Sequence, residues 1–271
     1  MIVIRPAHER GHADLGWLDS RHSFSFGAYQ DPAHVGFSAL RVINDDRVAP
    51  GGGFPTHPHR DMEIVTYMLE GELAHRDSLG AGASPGATRP ARATRPARLT
   101  QTAPASQTLG PNDVQRMSAG TGLRHSEFNA SDSAPTRFLQ LWLMPERTGL
   151  PPAYAVKTIP PEAKRATLRR IIASHLRPTP DTLSIQTDAD IDATILAPDE
   201  TVVRSLAPGR VAWVQIARGR MTVNGRLMQE GDGAALIDET VILLAGAGGS
   251  TAGMAEALLF DLPPINPAAR R

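Results

Sequence analysis

His57-Pro58-His59 and His125-Ser126-Glu127 each place two metal-type ligands two residues apart, in segments about seventy residues from one another. Side chains i and i+2 of a β-strand point to the same face, so each run can aim both of its ligands at one point. Two such strands side by side give three imidazoles and one carboxylate. That donor set suits a divalent first-row metal and leaves coordination positions for a substrate or for oxygen. The chain has nine histidines, at 8, 12, 22, 34, 57, 59, 75, 125 and 175. Only these two clusters put ligand types two apart on plausible strands.

The composition supports that chemistry and excludes others. There are no cysteines, which removes disulfides, thiolate metal sites and cysteine nucleophiles and leaves imidazole and carboxylate as ligands. Lys+Arg and Asp+Glu both number 28, so no net field attracts nucleic acid or an anionic membrane. No stretch approaches the ~18 apolar residues of a membrane helix. The N-terminus, MIVIRPAHER, carries charges where a signal peptide has its apolar core. A soluble, cytoplasmic protein is expected.

The elements that must hold the ligands read as short strands. Gly and Pro, 24 and 23 residues, are scattered as turn punctuation. Strand signals cover 38–44, 63–69, 72–77 and 138–143, with Glu70-Gly71 as a hairpin turn between the second and third. After the proline-rich 145–161 come further candidates at 202–206, 212–217, 220–225 and 257–262, where Asn224-Gly225 is a strong two-residue hairpin signal. Helical periodicity is scarce, and 161–165 is the best short candidate. The halves echo one another as strand, turn glycine, strand, at 67–73 and 214–221, so an internal duplication of a β-barrel is the simplest account. Residues 81–108 differ. They are rich in Ala, Pro, Thr, Ser and Arg and contain TRPAR twice, at 88–92 and 94–98. Such a segment has little to bury and is expected to be a flexible insertion in a surface loop; the competing view is a basic recognition arm.

Longer strings add a resemblance. Gly51-x5-His57-x-His59-x3-Glu63 followed by Gly71 is close to a first cupin motif, and Gly122-x2-His125-x3-Asn129 fits the end of a second. PGGGFPTHPHRDMEIVTYMLEGELAHRDSLG at 50–80, DVQRMSAGTGLRHSEFN at 113–129 and RHSFSFGAYQDP at 21–32 resemble the pirin family, a group of two-cupin proteins. APGRVAWVQIARGRMTVNG and ALLFDL resemble its second barrel, so the likeness covers nearly the whole chain. It departs from the family in the residues intervening over 81–110.

The resemblance implies an all-β fold of two tandem cupin (jelly-roll) barrels: residues 1–145 as a metal-binding barrel, 146–160 as a linker and 161–271 as a metal-free barrel, since no histidine follows 175. It implies one divalent metal held by His57, His59, His125 and Glu127, with Fe(II) expected and Cu, Ni, Co, Mn or Zn compatible. Glu63, the glutamate of other cupins, competes with Glu127 for the carboxylate position. Bacterial members resemble quercetin 2,3-dioxygenases, so the implied reaction opens a small polyphenol with O₂, with Glu127 serving as ligand and as base for the 3-hydroxyl proton. A second function class is a redox-sensing regulator that binds a protein partner without turnover. Neither class requires nucleic acid or membrane. A monomer is expected, because the duplication already supplies barrel-on-barrel burial.

Other residues have plainer expectations. His75 reads as a structural strand residue near the site, and His8, His12, His22 and His34 as surface or packing residues. Phe24 and Phe26 alternate and read as core or cavity wall, Trp142 and Trp213 as core, and Asp232 and Asp238 as turn residues.

Overall fold

A computed structural model describes residues 1–80, 106–248 and 253–265. Strands are nearly all of the regular secondary structure of the described residues, organised as two seven-stranded and two four-stranded sheets. Each seven-stranded sheet stands with one four-stranded sheet. The sheets do not close into a barrel, and each pair has the make-up of a cupin jelly roll.

The two large sheets repeat one another in strand number and in the order of their five inner strands, and differ at the edges, where Leu183–Ile185 pairs parallel and Gly11–Asp14 antiparallel. The first runs Gly11–Asp14, Leu18–His22, Leu40–Val48, Thr136–Leu143, Glu63–Glu70, Asp113–Ser118, Ala153–Thr158. The second runs Leu183–Ile185, Arg169–Ser174, Asp190–Leu196, Ala255–Leu262, Val211–Arg218, Gly233–Leu236, Ile2–Arg5. The small sheets match as well: Gly53–His59, Leu123–Asn129, Leu73–Asp77, Ser106–Leu109 against Thr201–Ser205, Val241–Gly246, Arg220–Val223, Arg226–Gln229. The expected duplication is therefore present in the topology.

The ends of the chain do not respect a simple cut. The N-terminal strand Ile2–Arg5 pairs with Gly233–Leu236 in the second unit. The 146–160 stretch, expected as a linker, contains Ala153–Thr158, which pairs with Asp113–Ser118 in the first unit. Both are strands whose backbone groups need ladder partners. Of the expected 81–108 insertion, residues 81–105 lie outside the described residues, while Ser106–Leu109 is a strand paired with Leu73–Arg76. The helical candidate at 161–165 is a three-residue 3₁₀ turn, Pro161–Ala163. Asn224 and Gly225 have φ of 45° and 79° and join the Arg220–Val223 and Arg226–Gln229 strands as a two-residue hairpin.

Strand alternation sorts the core. Val65, Tyr67, Leu69, Leu139 and Leu141 pack with Ile172, Ile191, Trp213 and Phe260 in one core shared between the two large sheets. The opposite faces look into each unit. The second unit is filled there by Val214, Ile216, Met221, Leu236, Leu244 and neighbours, all buried and apolar. The first unit has smaller apolar clusters at its ends, including Met68, Leu73 and Phe138, and encloses a cavity between them. The seam also holds a buried polar lock. Lys164 donates to Tyr67 at 2.7 Å and to Glu256 at 2.7 Å, tying the 161–165 turn to both units.

Candidate metal centre

The ligand runs lie on adjacent antiparallel strands of the small sheet, Gly53–His59 and Leu123–Asn129, with His125 directly opposite His57 and Leu123 opposite His59. On the second strand Leu123, His125, Glu127 and Asn129 are buried while Arg124 and Phe128 are exposed, which is the period-two pattern that aims His125 and Glu127 inward. The register slips between His125 and Glu127, so Glu127 lies opposite Phe54. Gly53 makes this close pairing possible: a Cβ there would sit 2.4 Å from Phe128 Cδ1 and 2.5 Å from Glu127 O.

The imidazoles converge. His125 Nε2 is 3.0 Å from His57 Nε2 and 2.9 Å from His59 Nε2. One ligand atom from each of the three can be chosen so that all lie within 4.8 Å of one another. Nitrogens bound to one ion at about 2.1 Å each, at right angles, stand roughly 3 Å apart, so the donor set fits a first-row metal. The remaining ring nitrogens are placed to leave Nε2 free for that purpose. His57 Nδ1 donates to the Pro55 carbonyl at 2.8 Å. His125 Nδ1 is 3.1 Å from His75 Nε2, and His75 Nδ1 is 3.7 Å from Asp77 Oδ2. His75 also stacks on Tyr154, centroid to centroid 4.9 Å. Burial disfavours the charged form of three of these rings. It lowers His59 to about 4 and His75 to about 4, and it lowers His125 to about 2 with help from the neighbouring imidazoles.

Glu127 is fully buried beside this trio, and its carboxylate is not one of the three converging groups. Both of its oxygens accept from Gln140 Nε2 at 3.0 Å. Burial, then the charge of Asp46, raises it to about 8. Asp46 itself is raised to about 7 by burial and accepts from Ser20 Oγ at 2.5 Å.

Glu63 does not share this face. It alternates with Ile64, which lines the cavity, and so points into the seam with Val65 and Tyr67. There its Oε2 accepts from Ser118 Oγ at 2.7 Å. The turn at 60–62 carries the chain from the small sheet to the large one, so the competing carboxylate faces away from His57 and His59.

The trio opens on a cavity of about 820 Å³. Phe26, Phe54, Ile64 and Trp142 supply apolar walls, and Leu15, Pro55 and Thr56 form an exposed rim. One wall is polar. Ser20 and His22 stand directly opposite Asp46 and Asn44 on the neighbouring strand, and Asn44 stands opposite Gln140 on the next. His22 Nδ1 lies 2.8 Å from Asn44 Oδ1. Trp142, expected as core, packs against the apolar cluster of Ile64 and Leu123 and also lines this cavity, its ring centroid 5.0 Å from that of His59, because even-numbered residues of Thr136–Leu143 face inward. His22, expected as a surface or packing residue, is buried in the same wall. Phe24 and Trp213 are core partners, 4.9 Å apart. Asp232 accepts from the Ala7 and Gln229 amides, and Asp238 has φ of 59°, as turn residues do. The polar wall was readable in principle: Ser20/His22 and Asn44/Asp46 repeat the same i, i+2 spacing as the ligand runs.

Among the described residues no helix is long and apolar enough to cross a membrane. The Pirin family model matches residues 3–93 and 101–143, and the model of the quercetinase C-terminal cupin domain matches 171–262. A quercetin 2,3-dioxygenase of Escherichia coli (strain K12) is 40% identical over 269 residues, covering 98% of this chain and 100% of that protein. The crystal structure of YhhW from Escherichia coli superposes with a TM-score of 0.82 at 38% identity, covering 98% of this chain and 99% of that one. The bacterial pirin YhhW in complex with nickel(II) matches equally, with TM-score 0.82, 38% identity and coverage of 98% and 100%. With both halves matched and a relative at this identity along its full length, the chain belongs to the pirin family.

Proposed function

We propose that this pirin is a metal-dependent dioxygenase that opens the ring of a flavonol such as quercetin with O₂ and releases carbon monoxide. The observation that carries this reading is the convergence of three imidazoles on the wall of a cavity whose volume falls in the range of small-molecule sites, about 300–1,000 Å³. His57, His59, His125 and Glu127 would hold one divalent ion, with Fe(II) as the proposed species; a nickel(II) complex of a relative supports a divalent metal in this fold. When bound, the ion supplies positive charge that acidifies a coordinated hydroxyl and balances its anion.

The chain's own groups do the rest. Glu127, anionic once its proton has left, accepts the proton of the substrate 3-hydroxyl, and its elevated proton affinity suits it to keep that proton near neutral pH. Gln140 orients both carboxylate oxygens. Its own Oε1 has no hydrogen-bond partner among the described residues and offers an acceptor to a ring hydroxyl. Trp142, Phe26 and Phe54 hold the flat rings and keep water away. Ser20, His22, Asn44 and Asp46 offer donors and acceptors to hydroxyls on the far ring.

The direct test is an aerobic assay of metal-loaded protein with quercetin, following flavonol absorbance and carbon monoxide. Metal-dependent loss of flavonol with carbon monoxide release is expected. No loss with Fe(II), Ni(II) or Cu(II) would overturn the enzymatic reading.

A further inference from the structure

A second cavity, of about 220 Å³, lies at the edge of the seam between the two units, on the face of the large sheet away from the metal centre. Its floor is Arg10, Arg137 and Asp45, all with side chains less than a tenth exposed. Its rim is Arg21, Arg47 and residues of both units, including Glu230, with side chains nearly half exposed.

The arrangement of charge is unusual for a structural network. Arg47 stands directly opposite Arg137 on the neighbouring strand, a pairing that like charges disfavour. Arg137 is saturated: Asp45 takes its Nε and Nη2 at 2.9 Å each, Glu230 its Nη1 at 2.7 Å. These contacts consume the buried carboxylate. Arg10 Nη1 reaches Asp45 only at 3.7 Å and has no hydrogen-bond partner among the described residues. Its pKa is lowered by burial and by the neighbouring charges of Arg137 and Arg21, with Asp45 opposing. Arg47 reaches its nearest carboxylates, Glu70 and Glu230, only at 3.9 and 3.8 Å. Arg21 has Asp19 at 3.4 Å. Three guanidinium groups thus share a small polar hollow with donors left over, and a buried donor without an acceptor is costly.

We propose that this hollow binds a small oxyanion, a phosphate or carboxylate group, held by Arg10 from the floor and by Arg21 and Arg47 from the rim. A fork of guanidinium donors matches the paired oxygens of such groups. Glu230, which comes from the second unit, stays paired to Arg137 and faces the hollow without contributing a donor. The site is separate from the proposed dioxygenase chemistry and does not depend on it.

The test is calorimetric titration of the full-length protein with inorganic phosphate, and in parallel with succinate, at constant ionic strength set with chloride. Saturable binding of one or both is expected, weakened at least about tenfold in Arg47→Gln and in Arg21→Gln, whose exposed side chains can change without unfolding the chain. The same binding is expected to persist in His57→Ala, which separates this hollow from anion capture at the metal centre. Binding by phosphate alone assigns a phosphoryl ligand, and binding by succinate alone a carboxylate. Absence of saturable binding, binding unchanged in both arginine variants, or binding lost in His57→Ala overturns the proposal.

Discussion

His75 Nε2 lies 3.1 Å from His125 Nδ1, so one imidazole sets the tautomer of another that faces the metal centre. If Nε2 of His125 binds a metal, its Nδ1 carries the proton and donates to His75. His75 is then a positioning residue, oriented in turn by Tyr154 and Asp77. His75→Leu keeps bulk and removes the acceptor. Metal affinity is expected to fall by about 10–100-fold, the usual cost of losing such a partner. Competition with a chelating dye measures it, and an unchanged affinity shows that His75 only packs.

Glu127 holds its proton near neutral pH, with a pKa raised to about 8. As a ligand it must give that proton up. Metal binding at pH 7 is therefore expected to release close to one proton, and affinity to rise as pH climbs toward 8. Titrations in two buffers of different ionisation enthalpy measure the release. Glu127→Gln is expected to abolish it while keeping some metal on the three histidines. Equal release in both proteins would remove Glu127 from the ligand set.

The metal-free protein is expected to have a stability plateau between about pH 4.5 and 6.5 and to weaken on both sides. Asp46, Glu63 and Glu127 are raised by burial to about 7, about 7 and about 8. They stay protonated in the fold while the unfolded chain ionises, so their contribution is lost as pH rises through those values. His59, His75 and His125 are lowered to about 4, about 4 and about 2. They stay neutral in the fold while the unfolded chain takes protons below its ordinary value of 6.5, so stability is also lost as pH falls through that range. Between the two ordinary values the slopes oppose each other. Denaturant midpoints of chelated protein across pH 3–9 check this; a monotonic profile contradicts it.

Lys164 has a side chain 1% exposed, and Glu256 is its carboxylate partner at 2.7 Å across the seam. Glu256→Ala leaves that ammonium buried without its countercharge and is expected to cost about 3–5 kcal/mol. The double variant Lys164→Met, Glu256→Gln is expected to recover much of the loss. Equal destabilisation of the two by thermal unfolding would mean that packing, and not the pair, holds the seam.

The ligand trio was legible because i, i+2 spacing survives any uncertainty about which strands pair. The duplication was legible in the turn glycines, and the order of the strands bears it out. What could not be read was the side on which each strand's alternate residues fall. Glu63 satisfied the cupin spacing, yet the turn at Arg60–Met62 moves the chain to another sheet and reverses the relevant face. Trp142 looked like core because its strand is apolar, but only its odd-numbered neighbours Leu141 and Leu143 enter the shared core. His22 had no partner at ligand spacing because its partner, Asn44, comes from the opposite strand. Long-range register, invisible in a single strand's pattern, decides all three.

The central claim is that one metal at His57, His59 and His125 enables flavonol cleavage. Stepwise Fe(II) addition to anaerobic, metal-stripped protein, each sample then assayed with quercetin and O₂, tests it most directly. Activity is expected to rise linearly to one equivalent and then level, and to stay at background in His125→Ala at every equivalent. Turnover by the stripped protein, or undiminished turnover by His125→Ala, would contradict it.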